Sequence, residues 1–177
     1  MRKTIKLMKR YGSILLLLVL AGFIYRQAFL GTQSELPVAG DCDYFVEVIA
    51  VSDGDTFTGR MGDNEEVRFR IQGIDAPELS QAFSRKSRNY LAGLIQGKKV
   101  CIKVQREEDG FGRPVVYAFT PDNRDVGAEM IKAGMAWHFK KYDDSNHYAK
   151  LEEEAREGKV GLWRDPDPVA PWIYRAH

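Results

Sequence analysis

Over residues 42–177, apolar positions repeat first with the period of strands and later with the period of helices. Tyr44 to Val51 is rich in β-branched and aromatic residues and predicts a strand. Asp53-Gly54 is a turn signal, and Thr56 to Arg60 returns as a second strand. After Met61-Gly62-Asp63-Asn64, the segment Val67-Arg68-Phe69-Arg70-Ile71 alternates, with both Arg on the face opposite the apolar side chains. Ala82 to Ile95 carries Phe83, Tyr90, Leu91, Leu94 and Ile95 at helical spacing, and Gly97 stops it. Val100 to Val104 is a fourth strand, Asp109-Gly110-Phe111-Gly112 a hairpin turn, and Val115 to Phe119 a fifth strand. Val126 to Ala133 is a short helix with Asp125 as N-cap, and His147 to Glu157 a third, capped by Ser145 or Asn146. The tail from Asp165 holds three Pro residues and is expected to be extended. Five short strands with three helices predict an α+β domain built on a closed five-stranded Greek-key barrel.

Residues 1–30 follow another pattern. Arg2, Lys3, Lys6, Lys9 and Arg10 precede an uncharged stretch from Tyr11 to Tyr25. Extended through Leu30, with Arg26 snorkelling, the segment is long enough to span a bilayer. No clear small-residue cleavage site follows it, so an uncleaved anchor is favoured over a cleaved, secreted form. The basic flank places the N-terminus in the cytoplasm and the rest outside. Residues 31–41 read as a linker and 42–177 as the globular domain.

Charge narrows the function classes. Six of the 26 basic residues and none of the 25 acidic ones precede residue 27, leaving 20 basic against 25 acidic in the remainder. Such a domain does not coat nucleic acid by bulk charge and would need local Arg clusters or metal ions. The two cysteines, Cys42 and Cys101, have no accompanying His and make no zinc site. Outside the cytoplasm such a pair commonly forms a disulfide, whereas in the cytosol two separate buried thiols are the ordinary outcome.

Four clusters carry candidate chemistry: Asp53-Gly54-Asp55-Thr56, Arg70 through Glu78, Asp109-Gly110-Phe111-Gly112-Arg113, and Trp137 through Tyr142. Each alone has a structural explanation, since Asp-Gly is a common turn dipeptide and exposed Arg form salt bridges. Together they are more specific. Asp55 and Asp75 lie at strand ends of one meander and offer hard oxygen donors that suit Ca²⁺ or Mg²⁺. Arg70 and Arg113 can clamp a phosphate. Glu78 remains as a candidate general base. Metal, base and two guanidinium groups are what phosphodiester hydrolysis requires. Trp137, Trp163 and Trp172 are expected to be packing residues, and His138 and His147 lack matching acids and are not expected to be ligands.

In that combination the chain resembles the staphylococcal nuclease (thermonuclease) family from about Phe45 to Trp163. The matching stretches are Val51-Ser-Asp-Gly-Asp-Thr-Phe57, Phe69-Arg-Ile-Gln-Gly-Ile-Asp-Ala-Pro-Glu78, Asp109-Gly-Phe-Gly-Arg113, Gly134-Met-Ala-Trp137 and Gly161-Leu-Trp163. The resemblance implies an OB-type barrel with three helices and a Ca²⁺-dependent endonuclease that cuts single-stranded or flexible DNA and RNA to 3′-phosphates. It matches Asp55 and Asp75 to calcium carboxylates, Ala76 to a position whose backbone carbonyl binds the metal, and Asp53 to an acid beside it. It matches Glu78 to the residue that activates water, and Arg70 and Arg113 to the phosphate-binding arginines. Phe111 stands where some members place Tyr, and could stack a base. In such a barrel the strands of Cys42 and Cys101 are neighbours, which predicts a disulfide between them. A monomer is expected. Two other functions are weighed: a catalytically inactive barrel binding nucleic acid or protein, and hydrolysis of another phosphodiester polymer.

Overall fold

A computed structural model describes residues 42–176. The anchor expected over 1–30 and the linker over 31–41 lie outside these residues. Among the described residues, no helix is long and apolar enough to cross a membrane.

The described residues form seven strands: β1 Tyr44–Val51, β2 Thr56–Arg60, β3 Glu66–Ile71, β4 Ile74–Asp75, β5 Lys99–Arg106, β6 Val115–Phe119 and β7 Trp137–His138. Five of them close a barrel in the order β1-β2-β3-β6-β5, and β5 returns to pair with β1. All contacts in the barrel are antiparallel except β3 with β6, which is parallel. Alternation along β1 buries Val46 and Val48. A register shift between Val48 and Ala50 then brings Val51, not Ala50, to the inside, as an inserted residue does in a β-bulge.

Helices α1 (Ser84–Ile95), α2 (Val126–Lys132) and α3 (Asn146–Glu157) supply the apolar faces that cover the barrel. Phe57 and Phe69 stack inside it at 5.3 Å, and Leu91, Ile95, Met130 and Ile131 from the helices complete the core. Asp125 caps α2 through the Ala128 N–H and Ser145 caps α3 through the Tyr148 N–H. A smaller apolar cluster joins Trp137, Ala155, Leu162, Trp163 and Ala170, with Phe83 packed against it.

Several local expectations are corrected. Helix α1 begins at Ser84, not Ala82, because Phe83 adopts φ 68° while its ring packs on the second cluster. The tail is not extended throughout: Gly161–Arg164 is a 3-10 turn and Pro171–Tyr174 a short helix, α4, with Pro at its start. Trp137 and Trp163 are buried, but Trp172 is 36% exposed and stacks on Phe139 at 5.3 Å. His138 does have an acid, since its Nε2 lies 2.9 Å from Asp143 Oδ1.

Cys42 and Cys101 are joined by a disulfide, with Cα atoms 5.5 Å apart. Cys42 lies two residues before β1, whose Phe45 pairs with Cys101 of β5, so the bond ties the start of the domain to the barrel wall.

Candidate active site

One open cleft of about 1340 Å³ is lined by Asp53, Asp55, Arg70, Asp75, Ala76, Glu78, Phe111 and Arg113 together. They come from three places in the chain that the sheet brings to one end of the barrel: the β1–β2 turn, the segment from β3 through β4, and the β5–β6 hairpin.

The β1–β2 turn is fixed by close packing. A Cβ on Gly54 would fall 1.8 Å from Ser87 Oγ of α1, so only glycine fits between Asp53 and Asp55. Asp53 Oδ1 accepts from the Asp55 N–H at 3.1 Å and sets the direction of Asp55. Burial, and then the neighbouring Asp55 charge, push the Asp53 carboxyl up to about 6.

The β3–β4 turn passes through Gly73 at φ 75°, a conformation suited to glycine and closed in by Tyr148 and Asp143. It brings Asp75 back beside Arg70. The Arg70 guanidinium donates to the carbonyls of Ile71 and Ile74 at 2.6 and 2.7 Å. Its Nη2 also lies 3.2 Å from Asp55 Oδ2 and 3.3 Å from Asp75 Oδ1. A single positively charged nitrogen thus lies against both carboxylates, which converge on a shared region. Asp55 Oδ2 further accepts from the Ala76 N–H at 2.8 Å.

Arg113 is held by its own hairpin. Asp109 Oδ2 accepts from Arg113 Nε at 2.9 Å and Nη2 at 2.7 Å, while Arg113 Nη1 donates to Thr56 Oγ1 at 3.2 Å. Thr56 in turn donates to Asp55 Oδ1 at 3.0 Å. Phe111, at the hairpin tip, is 85% exposed with the Arg113 guanidinium 5.2 Å from its ring centre.

Asp75 is 2% exposed, and Glu78 stands at the cleft wall. Both are engaged by Arg175, just beyond α4: Nη2 reaches Asp75 Oδ2 at 2.7 Å and Nη1 reaches Glu78 Oε1 at 2.5 Å. Burial pushes the Asp75 carboxyl above its ordinary value even against Arg175 and Arg70. Those hydrogen bonds hold the Arg175 guanidinium well above its own ordinary value.

The donor set fits a hard divalent cation. Asp55 and Asp75 supply carboxylate oxygens, and the Ala76 backbone is tied directly to Asp55. Among the described residues, no group of three or more His, Cys, Asp or Glu side chains is arranged to hold a metal. His138, paired with Asp143, takes no part in this set.

Sequence reasoning missed three features of the cleft. Arg175 carried no local signal, being one basic residue in a Pro-rich tail. Asp109 carries the signature of a turn residue in sequence, although its four-residue spacing from Arg113 allows the pair it forms. The cleft wall is also basic, although the domain as a whole is acidic. Its lining holds eight Arg and Lys against six Asp and Glu, with Arg68, Arg106, Lys140, Lys141 and Arg156 joining Arg70, Arg113 and Arg175.

Comparison with known proteins fits this arrangement. Residues 68–165 match the family model described as Staphylococcal nuclease homologue. A protein of Escherichia coli O157:H7 named "Uncharacterized endonuclease" is 38% identical over 133 residues, covering 75% of this chain and 86% of that relative. One of the same name from Haemophilus influenzae is 35% identical over 128 residues, covering 72% of this chain and 71% of the relative. A staphylococcal-like nuclease of Arabidopsis thaliana is 38% identical over 118 residues, covering 63% of this chain and 36% of that longer protein. With its barrel, its cleft and a match over most of its length, the chain belongs to the staphylococcal nuclease family.

Proposed function

We propose that this protein is a calcium-dependent endonuclease that hydrolyses phosphodiester bonds of single-stranded or flexible DNA and RNA, leaving 3′-phosphate ends. The observation that carries the proposal is the convergence of Asp55 and Asp75 in one cleft with Arg70, Arg113 and Glu78. Asp55, Asp75 and the Ala76 carbonyl would hold the cation. When bound, it supplies positive charge against a phosphate oxygen at the reacting centre. Glu78 orients the attacking water and accepts its proton. Arg70 and Arg113 donate to the equatorial phosphate oxygens as charge builds on them. Asp109 and Thr56 hold Arg113 in place for that task. The basic cleft wall draws a polyanion to a domain whose total charge would not. Phe111 offers an exposed ring against which a base can stack.

We further propose that the domain works as a monomer outside the cytoplasmic membrane, tethered by residues 1–30. The basic flank and apolar run of that segment support the tether. The Cys42–Cys101 disulfide supports an oxidising compartment.

A substrate panel tests the function: single-stranded DNA, RNA and a teichoic-type phosphodiester polymer, each with calcium or chelator and with end-group analysis. Calcium-dependent internal cuts in DNA and RNA with 3′-phosphate ends are expected. Cleavage of the non-nucleic polymer alone would reassign the substrate.

A further inference from the structure

We propose that the C-terminal strap, residues 172–176, is an autoinhibitory contact: its Arg175 occupies the carboxylates of the cation site, so strap docking and divalent-cation binding exclude one another. The inference rests on the proposed cation site at Asp55 and Asp75.

Arg175 reaches across 100 residues of sequence to Asp75 and 97 to Glu78. It takes both oxygens of Asp75, at 3.2 and 2.7 Å, and Oε1 of Glu78. Arg70 already takes Oδ1 of Asp75 at 3.3 Å. Guanidinium groups engage both oxygens of Asp75, so a cation held about 2.3–2.6 Å from that carboxylate would lie directly beside the Arg175 charge. Like charges at such a separation repel strongly in a partly buried site.

The contact is built rather than incidental. Ala170 belongs to the second apolar cluster and the next residue, Pro171, is buried, which gives the strap a fixed base. From there on the chain lies on the surface, with Trp172 36%, Ile173 49% and Tyr174 39% exposed. The Trp172 ring lies parallel to Phe139 within 3° and covers an aromatic face of the cleft wall. Tyr174 Oη meets Ser80 Oγ at 2.9 Å, and Gln81 Nε2 donates to the Val169 carbonyl at 2.5 Å. Ser80 and Gln81 lie two and three residues after Glu78, so the strap grips the loop that carries the proposed base. It places a cation where a metal would bind and a ring where a base could stack. Its few surface contacts can be released while Pro171 stays buried.

Calcium titration by calorimetry on the whole protein, on Arg175→Ala and on a chain ending at Pro171 tests the coupling. Both variants should bind calcium at least about five-fold more tightly than the parent. Loss of a neighbouring positive charge would tighten binding even if the strap never moved, so strap release is read separately. Calcium should change the Trp172 fluorescence and speed proteolysis after Tyr174, and the spectral change should vanish in Trp172→Phe. Equal calcium affinity in all three proteins, with binding lost in Asp55→Asn, would overturn the strap and leave the nuclease function standing. Tighter binding in the variants without any fluorescence or proteolysis response in the parent would also overturn it. No calcium binding by any of them would overturn both the strap and the calcium dependence.

Discussion

Asp55 accepts a hydrogen bond from the backbone N–H of Ala76, at 2.8 Å, across 21 residues of sequence. This bond fastens the turn that opens β2 to the segment that leaves β4, and thereby fixes the spacing between Asp55 and Asp75.

The bond separates a structural role of Asp55 from a cation-binding one. In Asp55→Asn the amide oxygen can still accept from Ala76, but the charge is gone. Calcium affinity should fall at least about tenfold, since affinity follows ligand charge. The metal-free thermal midpoint should move by no more than a few degrees. A large loss of metal-free stability with unchanged calcium affinity would make Asp55 purely structural.

Asp109 and Arg113 should act as a unit. Asp109 lines the cleft beside Arg113 and holds its guanidinium through Nε and Nη2. Arg113→Ala should cost about 10²–10³ in kcat, as loss of a transition-state donor does. Asp109→Ala should cost about tenfold, and the double variant no more than Arg113→Ala alone. Additive losses in the double-mutant cycle would show that Asp109 works independently.

The disulfide closes a sequence separation of 59 residues between the domain's first described residue and the barrel wall. Loop-closure entropy for that span is worth roughly 4 kcal/mol. Replacing both Cys42 and Cys101 by Ser should lower the unfolding free energy by about 2–4 kcal/mol in urea titrations. The fold should be kept, because the strand pairing and the rest of the apolar core remain.

Asp143 gives a pH dependence through its bond to His138. Burial raises its carboxyl, but hydrogen bonds from His138, the Ser145 N–H and Tyr117 outweigh that and hold it below its ordinary value of 3.8. Its folded value is lowered, so the stability it contributes is fully present above 3.8 and is lost as pH falls through the folded value. Asp143→Asn should cost about 1–3 kcal/mol at neutral pH by leaving buried donors unpaired. Its unfolding free energy should also fall less steeply than the parent's below pH 4. Parallel acid curves would exclude this role for Asp143.

Strands β1 and β3 were legible because each buries one face, as the alternation in Val67, Phe69 and Ile71 displays, and β6, buried at all five positions, as a short apolar run. Strands β4 and β7 are two residues each, too short for any period. The start of α1 was misplaced because Phe83 has helical spacing in sequence yet a left-handed backbone in the fold. The candidate site residues were legible where chemistry sits at strand ends, as with Asp55 and Asp75. Arg175 was not, since the contact with Asp75 arises only from how Ala170 and Pro171 seat the tail. The acid of His138 lies only five residues away at Asp143 but is brought into reach by a turn that sequence spacing does not reveal.

Cleavage of single-stranded DNA by the parent and by Glu78→Gln, with calcium and with chelator, tests the central claim most directly. Calcium-dependent cutting in the parent that falls about 10²–10⁴-fold in Glu78→Gln, with calcium still bound and the thermal midpoint unchanged, is the expected result. Equal cutting by the two proteins, or cutting that persists in chelator, would contradict the proposed roles of Glu78 and of the cation.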